Sequence, residues 1–90
     1  MKNKNCVVKR KGHQEAYDSR KVYASCYAAA LNCHYSESKS EKIAAGVAKK
    51  ITKWIAGKGC VDSSKIKEQV IKVLKDKDVA LMYRSHLDLS

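Results

Sequence analysis

Residues 7–22 read "VVKRKGHQEAYDSRKV". The stretch sets a β-prone pair, Val7-Val8, and a second short run, Gln14 to Tyr17, on either side of a basic turn at Lys11-Gly12. Glycine takes the positive φ that a tight reversal demands, so residues 6–17 are expected to form a β-hairpin. Asp18 and Ser19 follow, and either can accept a hydrogen bond from the free N–H groups that open a helix. This order commits the start of the chain to strand, turn, strand, helix. It also crowds Lys9, Arg10, Glu15, Asp18 and Lys21 around one glycine.

Working outward, the apolar residues switch to helical spacing. Val22, Cys26, Ala29, Ala30 and Cys33 form one face of a first helix, expected to end between Asn32 and Tyr35. "SESKSE" is polar and turn-like, and Ser38 or Ser40 can cap the next helix. Ile43, Val47, Ile51, Trp54 and Ile55 make the clearest stripe in the chain, stopped by "GKG" at 57–59. Cys60-Val61 reads as a very short strand, and Asp62 and Ser63 as caps. Ile66, Val70, Val73 and Leu74 mark a third helix, which "KDKD" breaks. Val79, Leu81, Met82, Tyr83 and Leu87 mark a fourth. Four such stripes bury one another best as a small bundle, with the hairpin and a short third strand closing one end. The expected class is therefore mainly helical α+β. The 90 residues suit a single domain, 1–90, with its core over 7–84.

Composition narrows the partners. Nineteen Lys+Arg against nine Asp+Glu give a formal net charge of +10, a field that attracts nucleotides, nucleic acids or acidic membranes. Lysines spread along a chain are most often solvated helix faces. An apolar fraction of 44% supports a packed domain, and the absence of proline favours long helices. Cysteines stand at 6, 26, 33 and 60, with no C-x-x-C pair, so zinc-ribbon and thioredoxin-type spacings are missing. All four are expected to be free thiols, with Cys26 and Cys33 facing the core. "MKNKN" carries no apolar signal region, and no apolar run reaches the roughly 18 residues of a membrane span. A soluble, reduced, cytoplasmic protein is the expectation.

The charged stretch admits two readings. One is a solvated turn with salt-bridged surface charges, a common and individually weak arrangement. The other is a binding site. Lys9, Arg10, Lys21 and the N–H groups of a helix start suit phosphate. Glu15 and Asp18 suit donors on a base or sugar. Bulk nucleic-acid backbone would ask for fewer acids. No nucleophile–base pair or paired carboxylates stand out, so an enzyme is not expected. A lone turn histidine such as His13 is ordinarily a solvated side chain.

The residues Val7, Lys9, Arg10, Gly12, Glu15, Tyr17, Asp18, Lys21 and Val22, at this spacing, resemble the opening signature of the ATP-cone domain. "VDSSKI" at 61–66 with Val70-Ile71 is similar to that family's second block, and "ALMYR" at 80–84 loosely to its last helix. The resemblance runs from about Val7 to Arg84. ATP-cones occur at the start of ribonucleotide reductase large subunits and in the bacterial repressor of ribonucleotide reductase genes. The resemblance implies a four-helix bundle covered by a three-stranded sheet. It also implies binding of ATP or dATP as an effector without hydrolysis, coupled to oligomeric state.

Carried over by position, Lys9 and Arg10 match the basic pair that meets the phosphates, and Lys21 the helix-start lysine. Glu15 and Asp18 match acidic or amide positions beside the nucleoside. Val7 matches an apolar residue against adenine, and Ser63 a hydroxyl that contacts the base. Arg84 or His86 could supply a further basic group but align loosely. Mg²⁺ accompanying the nucleotide stays open. Lys11 and His13 depart from the family's usual residues and change the charge near the phosphates. No zinc ribbon precedes the domain and no reductase domain follows, so it reads as free-standing. A homo-oligomer, or a reductase or regulator acted on in trans, would be its partner. The alternative is a basic nucleic-acid-binding or protein-interaction module.

Overall fold

The computed structural model describes residues 5–89, with side chains except those of Arg10 and residues 86–89. Over these residues the elements run β1 (Cys6–Val8), a 3-10 turn (Arg10–Gly12), β2 (Gln14–Ala16), α1 (Ser19–Asn32), α2 (Glu37–Ile55), β3 (Cys60–Asp62), α3 (Ser63–Val73) and α4 (Lys77–Leu89). The protein is mainly helical α+β, with four helices and a small three-stranded sheet in the expected order. The side chain of Leu87, expected on the fourth helix stripe, lies outside the described part.

β1 is the central strand, antiparallel to β2 and parallel to β3. Val7 partners Glu15 on one side and Val61 on the other; Cys6 partners Ala16 and Cys60. Side chains alternate along a strand, so Glu15, Val7 and Val61 share one face and Ala16, Cys6 and Cys60 the other. The first row turns to the helices: Val61 is buried and Val7 packs on the core. The second row is the outer one, where Cys60 and Ala16 are exposed.

The link between β1 and β2 is longer than a two-residue turn. Lys9 N donates to His13 O at 2.6 Å, and Gly12 N to Lys9 O at 3.2 Å. Lys11 and Gly12 do make the reversal, with φ of 68° and 78°. Lys9 and Arg10 consequently lie past the end of β1. They are not neighbours on opposite faces of a strand.

The expectation of four free thiols is overturned at two of them. Cys6 and Cys60 form a disulfide, 54 residues apart in sequence with Cα atoms 4.4 Å apart. Parallel pairing of β1 and β3 sets the two residues side by side, a register that cysteine spacing cannot reveal. Closing a loop of 54 residues restricts the unfolded chain by about 4 kcal/mol on a chain-entropy estimate. Asn5 makes the same connection without sulfur. Its Nδ2 donates to Ile55 O at 2.7 Å and Gly59 O at 3.0 Å. Cys26 and Cys33 are thiols, and burial pushes the Cys26 thiol up to about 12.

The helices pack largely by their expected stripes, but Leu81, expected on the fourth, is 65% exposed, while Val79 and Tyr83 of the same helix are buried. α1 packs most extensively on α2 and also on α4, while α3 meets α2 and α4. Cys26, Ala29 and Ala30 on α1 and Ala44 on α2 are fully buried. Such small residues let two helix axes approach closely. Ile51, Ile55, Val70 and Val79 are the largest apolar residues with no more than 1% exposure.

The helix ends are locally encoded. α1 is capped by Asp18, whose carboxylate accepts from Arg20 N at 3.0 Å. It closes on His34 at φ 66°, with His34 N donating to Leu31 O and Tyr35 N to Ala30 O. That pair of bonds is a Schellman ending without glycine. α2 begins earlier than expected: Ser36 is its cap, accepting from Lys39 N at 3.1 Å. Neither Ser38 nor Ser40 serves as the cap, and Ser40 is fully buried. Asp76, inside "KDKD", opens α4 by accepting from Asp78 N at 2.9 Å and Val79 N at 3.2 Å.

Candidate functional site

The inner row of the sheet, the start of α1 and the start of α3 surround one pocket of about 120 Å³. Val7, Lys9, Glu15, Asp18, Lys21 and Ser63 all line it. These are six of the seven residues that the sequence singles out. The seventh, Arg10, has its backbone in the 3-10 turn beside Lys9, and its side chain lies outside the described part.

Each residue arrives by a different local route. Val7 faces inward because it alternates with Cys6 and Val8 on β1, and Glu15 is its cross-strand partner. Lys9 sits where the chain leaves β1. Asp18 is the α1 cap, and Lys21 stands in the first turn of that helix. Ser63 is the first residue of α3, directly after β3. Two helix N-termini therefore point their free N–H groups and positive dipole ends toward this region. Neither α1 nor α3 carries an acid in its first turn, and Asp62 makes no side-chain cap bond.

The mouth is an ion cluster. Glu15 Oε1 lies 2.9 Å from Lys21 Nζ and 3.8 Å from Lys9 Nζ. Lys21, through its hydrogen bond and its charge, and then Lys9, hold the Glu15 carboxyl below its ordinary range. Two ammonium groups thus converge on one oxygen position at the pocket's edge. Asp18 is engaged differently. It pairs with Arg20 through two contacts, Nε to Oδ1 at 3.1 Å and an amino nitrogen to Oδ2 at 3.0 Å. Arg20, through these hydrogen bonds, lowers the Asp18 carboxyl.

The lining also holds residues that sequence reasoning did not name for the site: Tyr17, Val22, Ser25, Ile66 and Tyr83. Ser25 and Ile66 were within reach, since each lies one helical turn beyond a named residue, Lys21 and Ser63. Ser25 Oγ donates to Lys21 O at 2.8 Å, so its free lone pairs face the pocket as acceptors only. Tyr83 is 5% exposed, and burial pushes its phenol up. Its place in an apolar stripe hid it, and the long α1–α4 packing brings it to the pocket. Tyr17 is buried against α2. Thr52 Oγ1 donates to Ala48 O at 2.8 Å, so the 3.1 Å contact runs from Tyr17 OH to Thr52.

Arg84, a loose candidate for another basic contact, is exposed on α4, and the side chain of His86 lies outside the described part. His13 is exposed in the loop after the 3-10 turn. Among the described residues no three metal-ligating side chains gather, and no helix is long and apolar enough to cross a membrane.

The pocket therefore joins a cationic mouth, two helix starts and a mostly apolar interior flanked by hydroxyls. No curated protein matches the chain. Residues 5–88 match the family model of the ATP cone domain, a family of regulatory domains that in general bind ATP or dATP as effectors. With nearly all of its length inside that match, the chain belongs to the ATP cone domain family.

Proposed function

We propose that this pocket binds an adenine nucleotide, ATP or dATP, as an allosteric effector without hydrolysing it. The observation that supports this most is the convergence of Lys9 and Lys21 on one point at the mouth of an apolar pocket. Ammonium groups so placed suit phosphate oxygens, and charge-assisted hydrogen bonds are the strong ones. The enclosed volume of about 120 Å³ is below the roughly 300–1,000 Å³ of sites that enclose a whole drug-sized ligand. It suits a base between Val7 and Ile66, with the phosphates outside over Lys9, Arg10 and Lys21. Ser63 and Asp18 then supply the polar contacts that orient the base.

In this reading Glu15 holds the two lysines in place until the phosphates arrive, and then turns to the nucleoside. Mg²⁺ enters as the counter-ion of the triphosphate, because the described residues offer it no ligand cluster of their own. The effector's signal is passed on through oligomeric state, or through a partner such as ribonucleotide reductase or a transcriptional regulator. An effector can drive that change only by preferring one state over the other.

Calorimetry with ATP, dATP and GTP tests the reading, alongside size-exclusion chromatography with and without nucleotide. Saturable binding of the adenine nucleotides over GTP is expected, as is a nucleotide-dependent change in elution. Absence of heat at millimolar nucleotide and low salt would remove it. Steeply salt-dependent binding to DNA, unaffected by nucleotide, would favour a nucleic-acid module instead.

A further inference from the structure

We propose that Cys6–Cys60 is a reversible thiol-modification site whose redox state sets the affinity of the neighbouring pocket. The proposal rests on the nucleotide reading above.

Position carries the argument. The disulfide lies on the outer face of the sheet, one residue along each strand from the inner row of Val7 and Val61. Val7 and Lys9, next along the chain from Cys6, form one wall of the pocket. Ser63 and Ile66, just after the strand that holds Cys60, line another part of it. The bond thus fixes the two parts relative to each other from behind. The ladder it reinforces has only three residues in each strand.

Access carries the chemistry. Cys60 is exposed and Cys6 half-buried, whereas Cys26 is buried in the helical core. A thiolate of an external dithiol attacks Sγ of Cys60, forming a mixed disulfide and releasing the Cys6 thiolate, which takes up a proton. The second thiol of the dithiol then displaces Cys60. The products are two protein thiols and one oxidised dithiol, so two electrons move from the reductant to the protein. The reverse reaction with a small disulfide restores the bond. The Asn5 bonds to Ile55 O and Gly59 O and the β1–β3 ladder cross the same junction without sulfur, so the reduced chain is expected to stay folded, though less stable.

Coupling follows from ordering. A ligand that touches both parts must hold β1 against β3. With the bond intact that order is already present, so less freedom is lost on binding. The oxidised form binds nucleotide more tightly, and by linkage nucleotide favours the oxidised form to the same degree.

The test is calorimetry with ATP and dATP on the oxidised protein and on protein reduced with dithiothreitol. Thiol content is followed by mass and folding by circular dichroism. Reduction is expected to weaken binding by roughly fivefold or more, at the lower end of typical coupling. The C6S/C60S double variant should match the reduced protein and ignore dithiothreitol, and C33S should behave as the parent. A redox titration with nucleotide present should shift toward the oxidised form by the same factor. Equal affinities in the two states, or four free thiols under oxidising conditions, overturn the proposal alone. Absence of binding in both states overturns the nucleotide reading, and the coupling with it.

Discussion

Lys21 and Lys9 both approach Oε1 of Glu15, at a surface where all three side chains remain at least one-third exposed. Exposed pairs of this kind contribute little to folding, which makes their role in the proposed nucleotide site separable from stability. Lys21→Ala is expected to lower the melting temperature only slightly while weakening nucleotide binding by roughly ten- to a hundredfold, the worth of one charge-assisted hydrogen bond. Calorimetry beside a thermal melt separates the two effects; an unchanged affinity would show that the lysine does not meet the phosphates. Ser40 presents the opposite case. It is fully buried on α2, and its Oγ has no hydrogen-bond partner among the described residues. Burying an unsatisfied hydroxyl is costly, so Ser40→Ala should raise stability by about 1 kcal/mol in a denaturant titration. The sequence made the site residues visible because charge order and helix caps are local properties. Ser40 looked like a cap for the same local reason, and only the packing of α2 shows it to be a core residue.

At the scale of elements, the start of α4 depends on one residue, Asp76. Its carboxylate accepts from the Asp78 and Val79 N–H groups and from the Tyr35 hydroxyl, which comes from just after α1. The same tyrosine ring lies under Lys39 Nζ, 4.0 Å from its centroid, at the start of α2. The cap thus ties three helix ends together. Asp76→Ala should cost about 1–2 kcal/mol, the usual worth of a helix cap, and Asp76→Asn should recover part of it. Chemical denaturation with circular dichroism reads both. Four helices and three short strands were legible because apolar periodicity and turn residues mark them one at a time. The parallel pairing of β1 with β3 was not legible, because it is a contact between residues 54 apart that neither strand's pattern specifies. The disulfide went unseen for this reason, and Tyr83 because the packing of α4 on α1, which brings it to the pocket, is likewise a long-range contact.

At the scale of the molecule, nineteen basic residues against nine acids make every carboxylate valuable to a chain with a net charge of +10. Among the described residues three are held below their ordinary values: Glu15 mainly by Lys21, Asp18 by Arg20 and Asp76 by Tyr35. A carboxyl with a lowered folded value contributes stability that is complete above its unfolded value and is lost as pH falls through the folded one. The unfolded values are 4.5 for Glu15 and 3.8 for Asp18 and Asp76, so loss should begin near pH 4.5 and deepen below 3.8. Protonation also leaves the basic charge unopposed, and added salt should restore part of the loss by screening it. On the alkaline side the sign reverses. Tyr35 is raised from 10.0 to about 12, first by its bond to Asp76, so its contribution is complete below 10 and disappears as pH rises toward 12. The buried Cys26 thiol, raised from 9.0 to about 12, adds to the same side, so thermal melts across pH should give a plateau between about 4.5 and 9, with a limb on each side. Tyr35→Phe should make the alkaline limb shallower, leaving the share of the buried Cys26 thiol and Tyr83 phenol, and it should also make the acid limb shallower, because Asp76 loses the first cause of its lowered value. A change confined to the alkaline side would mean that the Asp76 carboxyl is held down by its backbone N–H partners alone.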